Sequence, residues 1–212
     1  MNIMRRSMAL LVFTVIGFGG CAHEWSSMSD PHPVTVADLQ AVLRDEWSRH
    51  LFWIRTVVLD NAKNDLRSRD FAGKAVETNT RDMAKTMAPF YGDEVAERLR
   101  TLLTTHYGVI KAYSEATVAK DTRRQDAAMA EFASNIDEIA NFFSGINPHL
   151  SKDTVRSLFA TKVDHHVAQI AKFQARDYAG EEETWPAMEH HVYVIADTLA
   201  TALVKQFPTK FM

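Results

Sequence analysis

Cysteine is all but missing: Cys21 is the one thiol in 212 residues, so no disulfide can form within the chain. Glycine and proline are also scarce, at 8 and 6 residues, which leaves few breaks for long helices. Strand-like alternation of useful length is absent, which argues against a sheet. An excess of positive charge is lacking too. The 24 Lys and Arg face 27 Asp and Glu, a net charge of −3, and this argues against a nucleic-acid partner. Known site signatures help by exclusion. The Glu-x-x-His pairs of ferritin-like di-iron bundles, the His-x-x-x-His spacing of hemerythrin-type bundles and the His-Glu-x-x-His of zinc peptidases do not occur. Neither does a Gly-x-Ser-x-Gly elbow, a P-loop or a dinucleotide fingerprint, so hydrolase, kinase and dehydrogenase readings have no motif to rest on.

What is present starts with an export signal over residues 1–20. Arg5 and Arg6 form a positive n-region, and Ser7 to Phe18 an apolar stretch too short to span a bilayer comfortably. The run Phe18-Gly19-Gly20-Cys21 resembles the lipobox of bacterial lipoproteins, with Phe18 where Leu is usual. That resemblance implies a lipid on Cys21 as the mature first residue, and hence a membrane partner through the lipid. With Ala22 rather than Asp next, it implies an exported protein held at the outer membrane facing the periplasm, where the cell has two membranes. Without Arg5 and Arg6, 22 of the 24 basic residues remain against 27 acidic ones, a mature net charge of −5. Residues 21–34 lack periodicity and read as a tether, and 35–212 as one domain.

The domain reads as all-α, an up-and-down bundle of four to six helices joined by short loops. Thr35 and Asp38 form a capping box ahead of a helix that ends in the polar run from Asp60 to Arg69. A second helix is expected over about Phe71 to Ala88, closed by Pro89-Phe90-Tyr91-Gly92. A third is capped by Asp93, a fourth follows Asp121 and stops at Gly145, a fifth is capped by Ser151, and a sixth opens at Thr184 and Pro186. Internal repeats are not evident.

Polar residues at inward positions carry whatever chemistry the bundle has. His50 lies in the stripe Leu39, Leu43, Trp47, His50, Ile54, Val57, and His106 is flanked by Leu102, Leu103, Val109 and Ile110. His191, between Met188 and Ile195, makes a third inward histidine by the same spacing. Asn79 with Asp82, Asn135, Lys162, and His165 with His166 complete the set. Adjacent residues on a helix diverge by about 100°, so one of His165 and His166 should be solvated. Two accounts compete. In one, His50, His106 and His191 converge with Glu46 or Asp82 on Zn, Cu or Fe, or on a small polar ligand. In the other, the imidazoles pair with Asn79, Asn135 or Asp82 in a layer that specifies packing, in a structural lipoprotein with an envelope partner. Met83, Met87 and Met129 are candidate soft copper ligands, though at helical spacing they suit core filling better.

From Trp47 onward the chain also resembles a family of small, all-helical bacterial proteins of unsettled function. The matching pieces are His50-x-x-Trp53-x-Arg55, Asn79-x-x-Asp82, Pro89-Phe90-Tyr91-Gly92, Leu102-Leu103 with His106, Asn135-x-Asp137-Glu138-Ile139-Ala140, Asn147-Pro148, Asp177-Tyr178, His191 with Ala196-Asp197, and Gln206-Phe207-Pro208. Some members carry automated labels such as glycosyltransferase or acetylglutamate kinase, to which no motif here corresponds. The resemblance implies a histidine near Lys162. A lysine there either replaces a metal ligand by a fixed charge or leaves that role to His165 or His166.

Overall fold

The computed structural model describes residues 35–211. The expected export signal over residues 1–20, the expected lipid site at Cys21 and the expected tether over residues 21–34 lie outside them. Six helices follow one another: α1 (Val36–Ala62), α2 (Leu66–Tyr91), α3 (Asp93–Val118), α4 (Thr122–Ile146), α5 (Lys152–Gln174) and α6 (Tyr178–Gln206), with a final 3-10 turn at Pro208–Lys210. This is the expected all-α, up-and-down bundle. None of these helices is long and apolar enough to cross a membrane. The capping box opens α1, with the Asp38 amide donating to Thr35 Oγ1 at 3.1 Å and the Thr35 amide to Asp38 Oδ2 at 3.0 Å.

The helices form three hairpins that repeat every 56 residues, a period hidden from the sequence reading. The non-glycine residues with positive φ are Asn64, Lys120 and Arg176, and 64, 120 and 176 differ by 56. Each sits at the end of an odd-numbered helix. The next residue is Asp65, Asp121 or Asp177, whose amide reaches back five residues to Asp60 O, Ala116 O or Lys172 O at 2.9 Å. This bond closes the carbonyls of the ending helix in the Schellman manner. The same Asp then caps the following helix through its carboxylate, which accepts from the Ser68, Arg124 or Gly180 amide. Helices α2, α4 and α6 therefore start at 66, 122 and 178, again in steps of 56.

The repeat escapes the eye because it preserves residue class more than identity. Trp47, Leu103 and Phe159 are equivalent, as are Leu43, Leu99 and Val155, and all six are buried. Helices α1, α3 and α5 touch one another along a pseudo-threefold axis, α2 and α4 bridge neighbouring odd helices, and α6 closes the ring against α1. The core thus lies on the axis among three parallel helices.

Two boundaries differ from expectation for one reason. Helix α2 begins at Leu66 rather than Phe71, and α6 at Tyr178 rather than at Thr184 and Pro186. In both, the aspartate after the left-handed residue caps the helix: Asp65 does so inside the polar run read as the end of α1, and Asp177 ahead of Thr184 and Pro186. Pro89 and Pro186 lie inside their helices. The third helix is led by Gly92 (φ 85), with Asp93 in its first turn rather than capping it.

Candidate functional site: a buried histidine and lysine centre

The pseudo-threefold axis brings one residue from each hairpin to the same level: His50, His106 and Lys162, again 56 apart. Their relative exposures are 0 %, 0 % and 2 %. The matching residues on the outer helices are Asn79, Asn135 and His191. Asn79 Nδ2 donates to the Glu46 carbonyl at 3.1 Å, and Asn135 Nδ2 to the Leu102 carbonyl at 3.2 Å. A backbone carbonyl only accepts, so each amide nitrogen must face it and each amide oxygen must face the imidazole. Asn79 Oδ1 therefore accepts from His50 Nδ1 at 2.9 Å, and Asn135 Oδ1 from His106 Nδ1 at 2.8 Å. Both rings are held as the Nδ1–H tautomer, which leaves each Nε2 with a bare lone pair. Both Nε2 atoms are buried and have no partner among the described residues.

The third hairpin departs from this pattern. His191 follows the outer asparagines only in part: its Nε2 donates to the Leu158 carbonyl at 2.8 Å, the contact equivalent to those of Asn79 and Asn135. It does not point into the centre, and the expectation of an inward His191 is corrected. It is half-buried beside His165, with ring centroids 5.4 Å apart. His166 instead enters the centre, one turn beyond Lys162, where the other hairpins carry Ile54 and Ile110, and it is 0 % exposed. Lys162 Nζ lies 3.2 Å from His166 Nε2. Of the adjacent pair, His166 is the inward residue and His165 the partly solvated one.

The electrostatics follow from burial around one cation. Desolvation pushes the Lys162 ammonium down to about 7. Desolvation and then the Lys162 charge push His50 down to about 3, while the bond to Asn79 works the other way. His106 and His166 are held well below the ordinary imidazole range by the same two causes in the same order. The imidazoles are thus neutral at physiological pH and present lone pairs rather than charge. Trp47 packs edge-on to His50 at 6.0 Å and Phe159 to His106 at 5.6 Å, which excludes water from one side of the level.

Other singled-out residues lie elsewhere. Asp82 is half-buried near Glu46 rather than in the centre, and its charge is one of the causes that raise the Glu46 carboxyl. Glu46 itself is buried and accepts from Thr86 Oγ1 at 2.6 Å; desolvation raises it to about 7. Met83 and Met87 are core, and Met129 is exposed. Among the described residues no three His, Cys, Asp or Glu side chains are grouped so as to hold a metal ion. The convergence of His50, His106 and His191 with a carboxylate is therefore corrected to His50, His106, Lys162 and His166.

Sequence reasoning missed a second polar contact beside the centre. Gln169, 0 % exposed, donates from Nε2 to Glu181 Oε1 at 2.8 Å. Glu181 also takes both arms of Arg55, with Nε to Oε1 at 2.8 Å, and Arg55 lies over the Trp185 ring at 4.8 Å. Desolvation would raise the Glu181 carboxyl, but the bonds from Arg55 and Gln169 outweigh it and hold it low. The signal for Gln169 was its place on the stripe Phe159, Lys162, His166, Gln169, Phe173. Comparison of the chain with known family models, with curated proteins and with solved structures gives no match.

Proposed function

We propose that this protein is an exported helical bundle, lipid-anchored to the cell envelope through Cys21, whose buried centre takes a transition-metal ion or a small polar ligand rather than catalysing a reaction. The observation that carries the reading is the pair of bare, buried Nε2 atoms of His50 and His106, each aimed by an asparagine that is itself tied to a backbone carbonyl. A buried acceptor without a donor costs about 1–3 kcal/mol, and two at one level call for an occupant. Neutral imidazoles braced at Nδ1 suit Zn, Cu or Fe. Only two donors stand ready; a third would require His166 to leave Lys162 and turn toward them, and Lys162, close to neutrality, would give up its proton to a cation bound there. The lipobox-like run Phe18-Gly19-Gly20-Cys21 supports the anchoring.

A second reading, a packing layer in a structural or partner-binding lipoprotein, draws support from the Lys162–His166 contact, which places a cation in the centre already. Element analysis of residues 22–212, purified without chelator or affinity tag, separates the two. A near-stoichiometric transition metal that disappears in a folded His50→Ala, His106→Ala variant is the expected result. A metal-free protein that gains no thermal stability from added Zn, Cu, Fe or Mn overturns the metal-ion reading.

A further inference from the structure

The period of 56 gives each surface position two counterparts in the same protein, and these show what the fold itself requires. Phe52 and Trp53 on α1 and Phe71 on α2 form an aromatic cluster on the first hairpin, with Phe52 edge-on to Trp53 at 5.0 Å and Trp53 edge-on to Phe71 at 6.2 Å. The cluster faces solvent: Phe52 is 51 % exposed and Phe71 67 %, with Trp53 half-buried between them. Its counterparts are Gly108, Val109 and Ala127 on the second hairpin and Asp164, His165 and Glu183 on the third. Neither of those hairpins needs a large apolar ring at any of the three positions, so packing does not call for the cluster, and exposed apolar patches carry an aggregation risk. Charge is distributed in the same way. Helices α1 and α2 carry nine Lys and Arg against eight Asp and Glu, whereas α3 and α4 carry six against nine and α5 and α6 six against eight. Arg49 stands one turn before Phe52, and Arg67 and Lys74 stand one turn to either side of Phe71, all three exposed. Of the acidic residues there, Asp45 is taken up by Arg49 and Asp70 by Arg69, each at 2.9 Å.

We propose that this cluster seats the first hairpin in the surface of the bilayer that holds the Cys21 lipid, with the three rings in the interfacial layer and Arg67 and Lys74 against anionic phospholipid headgroups. Aromatic rings favour that layer, and basic residues beside it gain from anionic lipid. The chain is long enough to allow it. Phe52 lies 16 residues into α1, about 24 Å from its start, and the 14 residues 21–34 span at most about 50 Å. A lipid on Cys21 therefore leaves the cluster within reach of the membrane, at an effective concentration far above that of the free protein. The inference rests on the reading of Cys21 as a lipid anchor and adds which face of the bundle turns to the membrane. It is independent of what the buried centre holds.

The test couples residues 21–212 through Cys21, the one thiol, to a maleimide lipid in phosphatidylethanolamine and phosphatidylglycerol vesicles, so that the tether is supplied whether or not the cell lipidates the chain. Hydroxyl-radical labelling read by mass spectrometry then reports each side chain, with exposed Met129 on α4 as the internal reference. Oxidation of Phe52, Trp53 and Phe71 relative to Met129 is expected to fall about fivefold on coupling, and only about twofold when phosphatidylcholine replaces phosphatidylglycerol. The variant Phe52→Ser, Phe71→Ser changes two exposed side chains, and with its helix content unchanged by circular dichroism it is expected to restore the oxidation of Trp53 in the coupled chain. Equal oxidation in the coupled and free chains, or a Trp53 still protected in the folded variant, overturns the docking. Protection indifferent to the anionic lipid overturns the headgroup contact of Arg67 and Lys74. Protection that appears without vesicles as protein concentration rises assigns the cluster to a second copy and overturns the docking as well. The anchor reading fails separately: a wild-type chain that cells leave unmodified at Cys21, and that alkaline carbonate releases from their membranes, overturns that reading and the docking in the cell with it.

Discussion

At His50 and His106 a single hydrogen bond decides what the ring can do, because the asparagine at Nδ1 determines which nitrogen is left free. Asn79→Ala strands the Nδ1–H of His50, while the Glu46 carbonyl keeps its bond within α1, and it is expected to cost about 2 kcal/mol in urea unfolding at pH 7. Lys162 behaves in the opposite way. Its folded pKa, about 7, lies below its unfolded value of 10.5, so its share of stability is full above pH 10.5 and is lost as pH falls to about 7. Lys162→Met is expected to hold or raise stability at pH 7 by about 1–4 kcal/mol and to abolish the rise between pH 7 and 10.5. The depressed histidines contribute stability above about pH 6.5 that drains away as pH falls toward about 3. Removing the Lys162 charge relieves part of that depression, so acid unfolding of Lys162→Met should move to lower pH. Glu46 has the reverse sign: raised from 4.5 to about 7, it favours the fold most below pH 4.5 and loses that contribution as pH rises through 7. Glu46→Gln should flatten that part of the stability profile, read by thermal melts from pH 4 to 8. That these residues face inward was legible from spacing in His50, His106, Asn79 and Asn135. His191 and His166 were harder, because a spacing rule gives the face of a helix and not the depth to which it is buried.

At the scale of the element, the three turns within the hairpins, out of five between helices, are one device used three times: a left-handed residue followed by an aspartate that ends one helix and caps the next. Only Asn64 of the left-handed residues is of a type that tolerates this conformation readily; Lys120 and Arg176 adopt it at φ 55 and 59. Lys120→Gly and Arg176→Gly are each expected to stabilise the protein by roughly 0.5–1 kcal/mol, seen as a rise in thermal midpoint. Asp121→Ala is expected to cost about 1 kcal/mol through loss of the cap. The six helices were readable from periodicity and scarce glycine. The start of α6 was misplaced because Arg176 at the left-handed position sends no turn signal and Pro186 sends one that the helix overrides; the start of α2 was misplaced because Asn64 and Asp65 were read into one long polar run from Asp60 to Arg69.

Across the whole molecule, the period of 56 makes the chain a closed ring of three hairpins, and the closure between α6 and α1 joins residues far apart in sequence. One end of the ring is clasped by the tail. Phe211 stacks on Phe90 at 5.8 Å, Phe207 meets Tyr91 at 5.2 Å, and Lys210 Nζ donates to the Pro89 carbonyl at 2.7 Å. Deleting residues 207–212 is expected to lower stability by about 2 kcal/mol, a fall of several degrees in thermal midpoint, with the helix content below the transition unchanged by circular dichroism. The sequence by itself determined the all-α class, the short connections and the inward faces, because these follow from local periodicity and from where glycine, proline and capping residues stand. Only the tertiary structure decided that the hairpins are repeats, that Lys162 is the counterpart of two histidines, and that His166 rather than His191 joins them. The period is written in the sequence at Asp65, Asp121 and Asp177 but is masked by changed identities elsewhere, whereas the choice of His166 over His191 depends on how closely helices meet at the axis, which no pattern along a single helix encodes.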